Sequence, residues 1–363
     1  MSDQNKKHKI GLVGDSLSKG GAEKVHALLS IYFENQGLNV HNCILIDLVT
    51  YEYSGSVLNL GKIKTNSSSF VRKFNRFFAL RNFIISNNFD CVIDFRMRPS
   101  FVLEFILSRL VYPKNTIFYV LSGRLDFYFP NNILLSKLIY KNKKIATVSK
   151  AIEDEISKNR FSNKVKNLFQ PFDFEAIEIL KNEFQVSGKY ILAVGNMDSD
   201  VKQLDKLILA YSKSELPNQK IKLIVLGEGK FKIEYQKLAD ELKLSDLVSF
   251  KGTVFNPFPF YQNAIFITLT SKNEGLSNAI IESLACETPV VALDCFSGPR
   301  EIIVNYYNGI LVENQNFEKF TEAMNSMIFD KELYQKCKEN ALKSVQKFSI
   351  EIIGRHWLDF IKL

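Results

Sequence analysis

Short apolar runs alternate with polar loops and amphipathic stretches along most of this chain. Lys9–Gly14 reads as a strand, Asp15–Gly21 as a loop of small and polar residues, and Ala22–Gln36 as a helix closed by Gly37. Val40–Leu48 is the next strand. This strand–helix–strand order predicts a parallel sheet covered by helices. It continues with a strand at Cys91–Phe95, a helix through Phe101–Val111, strands at Thr116–Leu121 and Lys144–Val148, and a helix from Lys150 to about Asn159. Asn167–Asp173 looks like a strand ending in a turn, and a helix and polar connection follow to Lys189. The order then restarts. Strands are expected at Tyr190–Gly195, Lys220–Gly227, Val248–Lys251, Ala264–Leu269, Pro289–Leu293 and Gly309–Val312, with helices at Lys202–Ser214, Ile233–Leu242 and Ser277–Cys286. Two such series, broken near 172–189, predict an α/β protein of two Rossmann-like domains facing each other. At 363 residues the chain also exceeds the size at which one core keeps growing.

Composition changes this picture little. Apolar content of 46% and charged content of 24% are ordinary for a soluble protein. The five cysteines (43, 91, 286, 295, 337) show no paired spacing and read as buried small hydrophobes in a reducing compartment. The N-terminus has no apolar h-region, so no signal peptide is expected. The most apolar stretch, Phe101–Tyr112, is interrupted by Glu104 and Arg109 and is too short to span a bilayer. A cytoplasmic protein, soluble or peripheral on the inner membrane face, is expected.

Charge placement is more informative. Between Lys62 and Lys144 there are 15 Lys/Arg and 4 Asp/Glu, an excess of 11, larger than the net charge of +8 for the whole chain. The same segment holds Phe70, Phe74, Phe77, Phe78, Phe83 and Phe89. A basic, aromatic-rich surface suits an anionic partner, a membrane face or a nucleic acid. No recognisable nucleic-acid module accompanies it, so nucleic acid is not expected. The alternative is a solvated helix face whose phenylalanines point into the core.

The chemistry concentrates in Ser271–Glu282, where an apolar strand feeds a polar loop and then a helix. Glu274 lies just ahead of that helix and Glu282 eight positions on. Ser277 or Asn278 is a candidate N-cap, so free amides around Gly275–Asn278 would point outward with the positive end of the helix dipole, a seat for a diphosphate. Carboxylates on either side can hold hydroxyls. The loop after a parallel strand lies at the sheet edge where such folds bind ligands. Taken alone, two glutamates eight apart are also common as helix-face charges.

The neighbours narrow this. Glu274–Thr288, Pro289-Val290-Val291 and Ser297-Gly298-Pro299-Arg300-Glu301-Ile302-Ile303 resemble the signature of the retaining glycosyltransferases of family 4, with their Glu-x7-Glu pair and GT-B fold. Glu287 stands where that family usually has glycine, a change mildly costly if the position needs a positive φ. The resemblance covers nearly the whole chain. Gly20-Gly21-Ala22-Glu23 is similar to the N-terminal glycine loop, and Thr147-Val148-Ser149 and Asn167–Asp173 to later landmarks. Leu226-Gly227-Glu228-Gly229 and Phe250-Lys251-Gly252 resemble landmarks of the donor domain, and Phe348, His356 and Trp357 lie in what resembles its closing helix.

This resemblance implies an acceptor-binding domain over 1–172, a nucleotide-sugar-binding domain over 173–345, and a helix over 346–363 packing back on the first domain. Glu274 would hold donor sugar hydroxyls and Glu282 the ribose, with Gly275, Leu276 and Ser277 near the diphosphate. Lys202 stands at the position of the family lysine that contacts the diphosphate. Gly20 and Gly21 would lie near the reacting centre. Asn196 occupies the position of a frequent arginine, and Gly227 belongs to the donor loop. Arg124 and Arg96 are candidates for an acceptor or a phosphate, or are ordinary surface charges, with Asp126 a ready partner for Arg124. Arg98 shares the candidacy of Arg96, and Arg300 could replace the missing cation if its loop folds inward. Asp198-Ser199-Asp200 matches a manganese-binding pattern of a different fold, but it sits in a polar loop and no metal or other cofactor is expected. The expected partners are a nucleotide-sugar donor, expected to be a UDP-linked hexose or N-acetylhexosamine, and a saccharide or polyprenyl-diphosphate-linked acceptor of bacterial surface polysaccharide assembly, presented at an anionic membrane. The same fold acting on a soluble acceptor, and a non-catalytic nucleotide-sugar-binding protein, are the alternatives.

Overall fold

A computed structural model describes residues 7–18, 20–63, 69–98 and 100–362. Lys19, Lys64 and the Phe70 side chain, which enter the readings above, lie outside the described residues. The chain divides into two compact units, Met1–Phe172 with Phe348–Leu363, and Asp173–Lys347.

The first unit is built on strands β1 (Lys9–Gly14), β2 (Asn39–Ile44), β3 (Ser56–Asn59), β4 (Cys91–Asp94), β5 (Thr116–Val120), β6 (Lys144–Thr147) and β7 (Lys164–Asn167). They form one sheet in the order β3-β2-β1-β4-β5-β6-β7, with every pairing parallel. β4 and β5 are buried along their whole length, as central parallel strands covered on both faces must be. Gly37, at φ +82, ends the helix Gly21–Asn35 by supplying the left-handed turn that the sequence asked of it. The closing helix Ile350–Ile361 belongs to this unit. Its buried Trp357 meets Tyr119 edge-on at 5.0 Å, and Lys144 Nζ donates to Phe360 O at 2.9 Å. The chain leaves and re-enters the unit side by side, through Phe172 N donating to Phe348 O and Ile350 N donating to Phe172 O.

The second unit holds β8 (Tyr190–Val194), β9 (Lys222–Leu226), β10 (Val248–Gly252), β11 (Ile267–Leu269), β12 (Val290–Asp294) and β13 (Gly309–Glu313). Their order is β10-β9-β8-β11-β12-β13, again all parallel. Its core is apolar, from Ile191, Leu207 and Val225 to Val291, Phe320 and Met324.

Several elements differ from the sequence reading. The strand expected at Asn167–Asp173 is β7, which ends at Asn167; Leu168–Asp173 is extended chain, closed by Asp173 capping the next helix through Ala176 N. The half-exposed edge strand β3 has no apolar pattern to announce it. Helices Ile133–Tyr140 and Phe258–Asn263 are additional. The helix expected from Lys202 begins at Leu204, because Asp200–Lys202 forms a separate 3₁₀ turn and Gln203 is left-handed at φ +48. Glu287, where glycine was expected, adopts φ +60, and Lys181 Nζ lies 3.5 Å from its carboxylate.

Candidate active site

In the second unit, β8, β9 and β10 run outward in one direction and β11, β12 and β13 in the other. The order therefore reverses between β8 and β11, and the loops leaving their carboxyl ends must part there, opening a crevice for a ligand. Lys202 follows β8 and Glu274 follows β11. Across this switch point Lys202 Nζ donates to Glu274 Oε1 at 2.6 Å. Their side chains are 25% and 12% exposed, so solvent and ligands can reach the pair.

The surroundings fix that meeting. Thr270 Oγ1 donates to Lys202 O at 2.8 Å, and Lys272 N donates to Val201 O at 2.8 Å, tying the two loops together. The Lys202 stem crosses directly over Gly195, where an added Cβ would lie 2.9 Å from Lys202 Cγ. Below Gly275, the Ser297 hydroxyl donates to Gly275 O, and Glu274 N donates to Phe296 O at 3.4 Å. Ser277 then takes a left-handed conformation at φ +75 and starts the helix Asn278–Ala285. Its hydroxyl, like that of Ser271, is buried with no hydrogen-bond partner, and such atoms in a cleft call for an explanation. The first amides of this helix carry the positive end of its dipole toward the loop holding Glu274. Two turns along, Glu282 accepts from Tyr261 OH at 3.1 Å. Burial, reinforced by the Glu282 charge, raises the Tyr261 phenol well above its ordinary range, so it stays a donor.

Beside the pair lies a cavity of about 580 Å³ lined by Gly195, Asn196, Gly227, Gly229, Thr253 and Pro257, among others. Its walls are backbone against backbone. Gly227, at φ +131, would place a Cβ 2.0 Å from Gly195 O, so only glycine fits. Asn196 Nδ2 donates to Asp198 Oδ2 at 3.0 Å, and Asp198 Oδ1 accepts from Lys230 N at 3.2 Å. Asp200 instead pairs with Lys272. The two aspartates thus make separate contacts. Among the described residues no group of three His, Cys, Asp or Glu is gathered for a metal. Arg300 is turned onto Asp294, with Nε donating to Oδ1 at 2.9 Å.

The first unit has its own switch point, between β1 and β4. The loop after β1 holds Gly20 and Gly21. Gly20 N donates to Tyr51 OH at 3.3 Å and caps the helix Gly21–Asn35. Arg96, expected as a surface cation for an acceptor, is only 3% exposed. Its guanidinium grips Asp94 at 3.0 and 2.7 Å and Glu104 at 3.1 Å. Arg98 is buried as well, donating to the carbonyls of Asp94 and Arg96. Both readings are corrected. A guanidinium taken out of water needs partners: Arg96 is ion-paired inside the unit, and Arg98 is held there by backbone carbonyls. Burial alone would raise the Asp94 carboxyl, yet Arg96 and Arg98 hold it below the usual range, while burial keeps Glu104 raised against Arg96. Arg124 remains at the surface, paired with Asp126 at 2.6 Å.

Some residues in these sites carry no sequence signal. Tyr261 meets Glu282 from another helix, 21 positions away, with no spacing rule to announce it. Asp15 and Glu23 line a small cleft at the first switch point with His26 and Phe95. Burial raises both carboxyls, opposed at Asp15 by the Met97 amide and assisted at Glu23 by the Asp15 charge. Glu23 stands in the glycine-loop motif, which was the available clue.

Comparison with known proteins agrees with this geometry. The family model described as glycosyl transferases group 1 matches residues 176–344, the span holding Lys202, Glu274 and Glu282. A Campylobacter jejuni protein named as an N-acetylgalactosamine-N,N'-diacetylbacillosaminyl-diphospho-undecaprenol 4-alpha-N-acetylgalactosaminyltransferase is 30% identical, over 97% of this chain and 99% of its own. This chain belongs to the group 1 glycosyltransferases. An amylovoran biosynthesis glycosyltransferase of Erwinia amylovora is 24% identical over 98% of this glycosyltransferase and 99% of its own length. A solved Anabaena protein in complex with UDP and glucose superposes with a TM-score of 0.78 at 17% identity, covering 98% of this chain and 99% of its own. That likeness establishes the GT-B fold for this glycosyltransferase.

Proposed function

We propose that this glycosyltransferase moves a sugar, with retention of configuration, from a nucleoside-diphosphate sugar to a saccharide carried on a polyprenyl diphosphate, in surface polysaccharide assembly. The observation that carries the donor half is the Lys202–Glu274 pair at the β8/β11 switch point, beside a glycine-walled cavity. When a donor enters, Lys202 turns to the diphosphate, and Glu274 is released to accept hydrogen bonds from sugar hydroxyls. Gly275, Leu276 and Ser277 offer backbone amides to the phosphates, and Glu282 faces the ribose hydroxyls. The C1–O bond to the diphosphate breaks with its electron pair going to the phosphate oxygen. The acceptor oxygen forms the new bond on the same face, and its proton passes to the departing phosphate. The charge of Lys202 and the helix dipole oppose the negative charge that builds there. No step calls for a metal.

UDP is the first nucleotide to test, because the solved Anabaena protein of like fold is in complex with UDP and glucose. The acceptor class follows the name of the Campylobacter relative, a diphospho-undecaprenol glycan. Charge supports a membrane setting. The helix Ser69–Asn87 exposes Phe74, Phe78 and Ile85 beside Arg72, Lys73 and Arg81, although Leu80 and Ile84 on the same helix are buried. No helix among the described residues is long and apolar enough to cross a membrane, so this contact would be peripheral. Assay against a panel of nucleotide sugars with a polyprenyl-diphosphate glycan tests the reaction. Product from one donor, abolished in Glu274→Ala, is expected; no turnover with any donor would count against it. Sedimentation with anionic vesicles tests the location.

A further inference from the structure

The cations of the first unit are not spread evenly over its surface. Arg109, Lys137, Lys141, Lys143 and Arg160 line one cavity of about 540 Å³, and no Asp or Glu is among its lining residues. The cavity lies at the amino edge of the sheet, since Lys143 immediately precedes β6 and Asn163 precedes β7. The glycine loop, Arg96 and Arg124 all follow the carboxyl ends of strands, at the opposite edge. This site is therefore separate from the one that handles the sugar.

Three of its cations sit where helices end: Arg109 in the last turns of Phe101–Val111, Lys137 in the last turn of Ile133–Tyr140, and Arg160 just past Lys150–Lys158. Dipole complementarity explains a cation at each such end. It does not balance the sum. Three helix C-termini supply about −1.5 charge against five full positive charges. The excess goes unrelieved by any carboxylate in the lining. Arg109 spends one donor on Leu138 O at 2.6 Å, and burial together with the Arg109 charge lowers the Lys143 ammonium from its ordinary value. The rim is apolar. Leu134 is 74% exposed and Leu138 47%, and Ile133, next to Leu134, and Leu110, next to Arg109, are also exposed. Isolated exposed leucines need no explanation, but several around a cationic cavity make an amphipathic surface.

We propose that this cavity seats the phosphate headgroup of an anionic phospholipid, with Leu134 and Leu138 entering the acyl boundary around it. The proposal rests on the peripheral membrane location proposed above and names the part of the surface that reads the lipid. A free phosphate would satisfy the cations but leave the apolar rim without a role, so the lipid is the favoured source.

The test uses the full chain and vesicles of phosphatidylglycerol in phosphatidylcholine, with pure phosphatidylcholine as reference and inorganic pyrophosphate as the soluble probe. Lys141→Gln with Arg160→Gln, both exposed and outside the catalytic edge, should weaken binding to the anionic vesicles about thirtyfold, at the ordinary worth of two surface cations. Leu134→Ser with Leu138→Ser should weaken vesicle binding and leave pyrophosphate binding intact. Circular dichroism and transfer to a short water-soluble acceptor should be unchanged in both. If Arg72→Glu with Lys73→Glu abolishes vesicle binding while the cavity variants do not alter it, the cavity assignment falls and the membrane location stands. If the wild type ignores anionic vesicles altogether, both fall. If pyrophosphate binds in the cavity and vesicles do not, the lipid assignment is overturned.

Discussion

Replacing Glu274 by Gln should tighten the binding of a bare nucleoside diphosphate while nearly abolishing sugar transfer. Lys202 is held by Glu274 at 2.6 Å. A diphosphate must take that lysine from a carboxylate, and must then tolerate the carboxylate beside it. The gross Coulomb attraction at this distance is about 6 kcal/mol at an effective dielectric of about 20. Most of it is offset by desolvation and by ordering two side chains. Exposed pairs net about 0–1 kcal/mol, whereas stripping one partner from a fully buried pair costs about 3–5 kcal/mol. With side chains 25% and 12% exposed, this pair falls between, at about 1–2 kcal/mol, or roughly 5- to 30-fold in affinity.

Calorimetry with UDP measures this directly. Glu274→Gln should gain about tenfold over wild type, and Lys202→Met should lose affinity. In a Lys202→Met background the Glu274→Gln gain should vanish, because the competition it relieves no longer exists; a double-mutant cycle isolates that coupling. With the intact nucleotide sugar, the same Glu274→Gln protein should turn over about a hundredfold more slowly, the scale for losing one preorganised polar contact to the reacting sugar. Equal UDP affinity in wild type and Glu274→Gln would refute the reasoning, as would a gain that persists without Lys202.

Other consequences are simpler to check. Arg96→Ala leaves Asp94 and Glu104 buried without their shared cation, so stability should fall by about 3–5 kcal/mol and the melting midpoint by roughly 10 °C, while the acceptor KM of the folded protein stays unchanged; a KM effect without a melting shift would restore an acceptor role. Tyr261→Phe removes the hydroxyl that Glu282 accepts and should weaken nucleotide binding about fivefold, by about 1 kcal/mol, at nearly constant melting temperature; unchanged binding would separate Glu282 from the nucleotide. His26 is buried and its pKa is lowered to about 4 from 6.5, by burial that its hydrogen bond to Asn42 only partly opposes. Because Asn42 Nδ2 donates to Ser54 O and Ser56 O, its Oδ1 must take the His26 Nε2 proton, leaving Nδ1 bare and without an acceptor for a second proton. The unfolded chain therefore binds this proton first. Stability from this group is complete above pH 6.5 and declines as pH falls toward 4, by about 3 kcal/mol in all; denaturant melts should show that slope, and His26→Gln should flatten it.

What the sequence could convey follows the range of its signals. Strands buried on both faces, such as Cys91–Asp94 and Val290–Asp294, announce themselves as apolar runs, and both sheets were legible for that reason. The Glu274-to-Glu282 segment was legible because strand, loop and helix are contiguous. The pairing of Lys202 with Glu274 is different. The residues are 72 positions apart, and what joins them is the reversal of strand order between β8 and β11. Periodicity locates strands but not their order, so neither that contact nor the one between Tyr261 and Glu282 could be read from spacing. Arg96 misled for a related reason. A cation just past a strand looks exposed until Glu104, eight residues on and in another element, closes over it.

The same contrast separates the two switch points. In the second unit the edge presents a cation and a carboxylate that can trade one partner for another, beside glycine loops and two unpartnered hydroxyls. Such a surface is arranged for an incoming ligand with its own charge and hydroxyls. In the first unit the strongest charges at the edge already neutralise one another: Asp94 and Glu104 against Arg96 and Arg98, all buried. A cluster so closed fixes the loop after β4 and keeps Arg96 engaged with its two carboxylates. Also at this edge, among the described residues, are Asp15 and Glu23, whose burial favours the protonated form, the exposed Arg124 paired with Asp126, and the backbone of the glycine loop. Carboxyls of that kind suit neutral hydroxyls better than phosphates. At this edge a diphosphate-bearing acceptor of the kind proposed would have to draw Arg124 away from Asp126 or find its cations elsewhere on the unit.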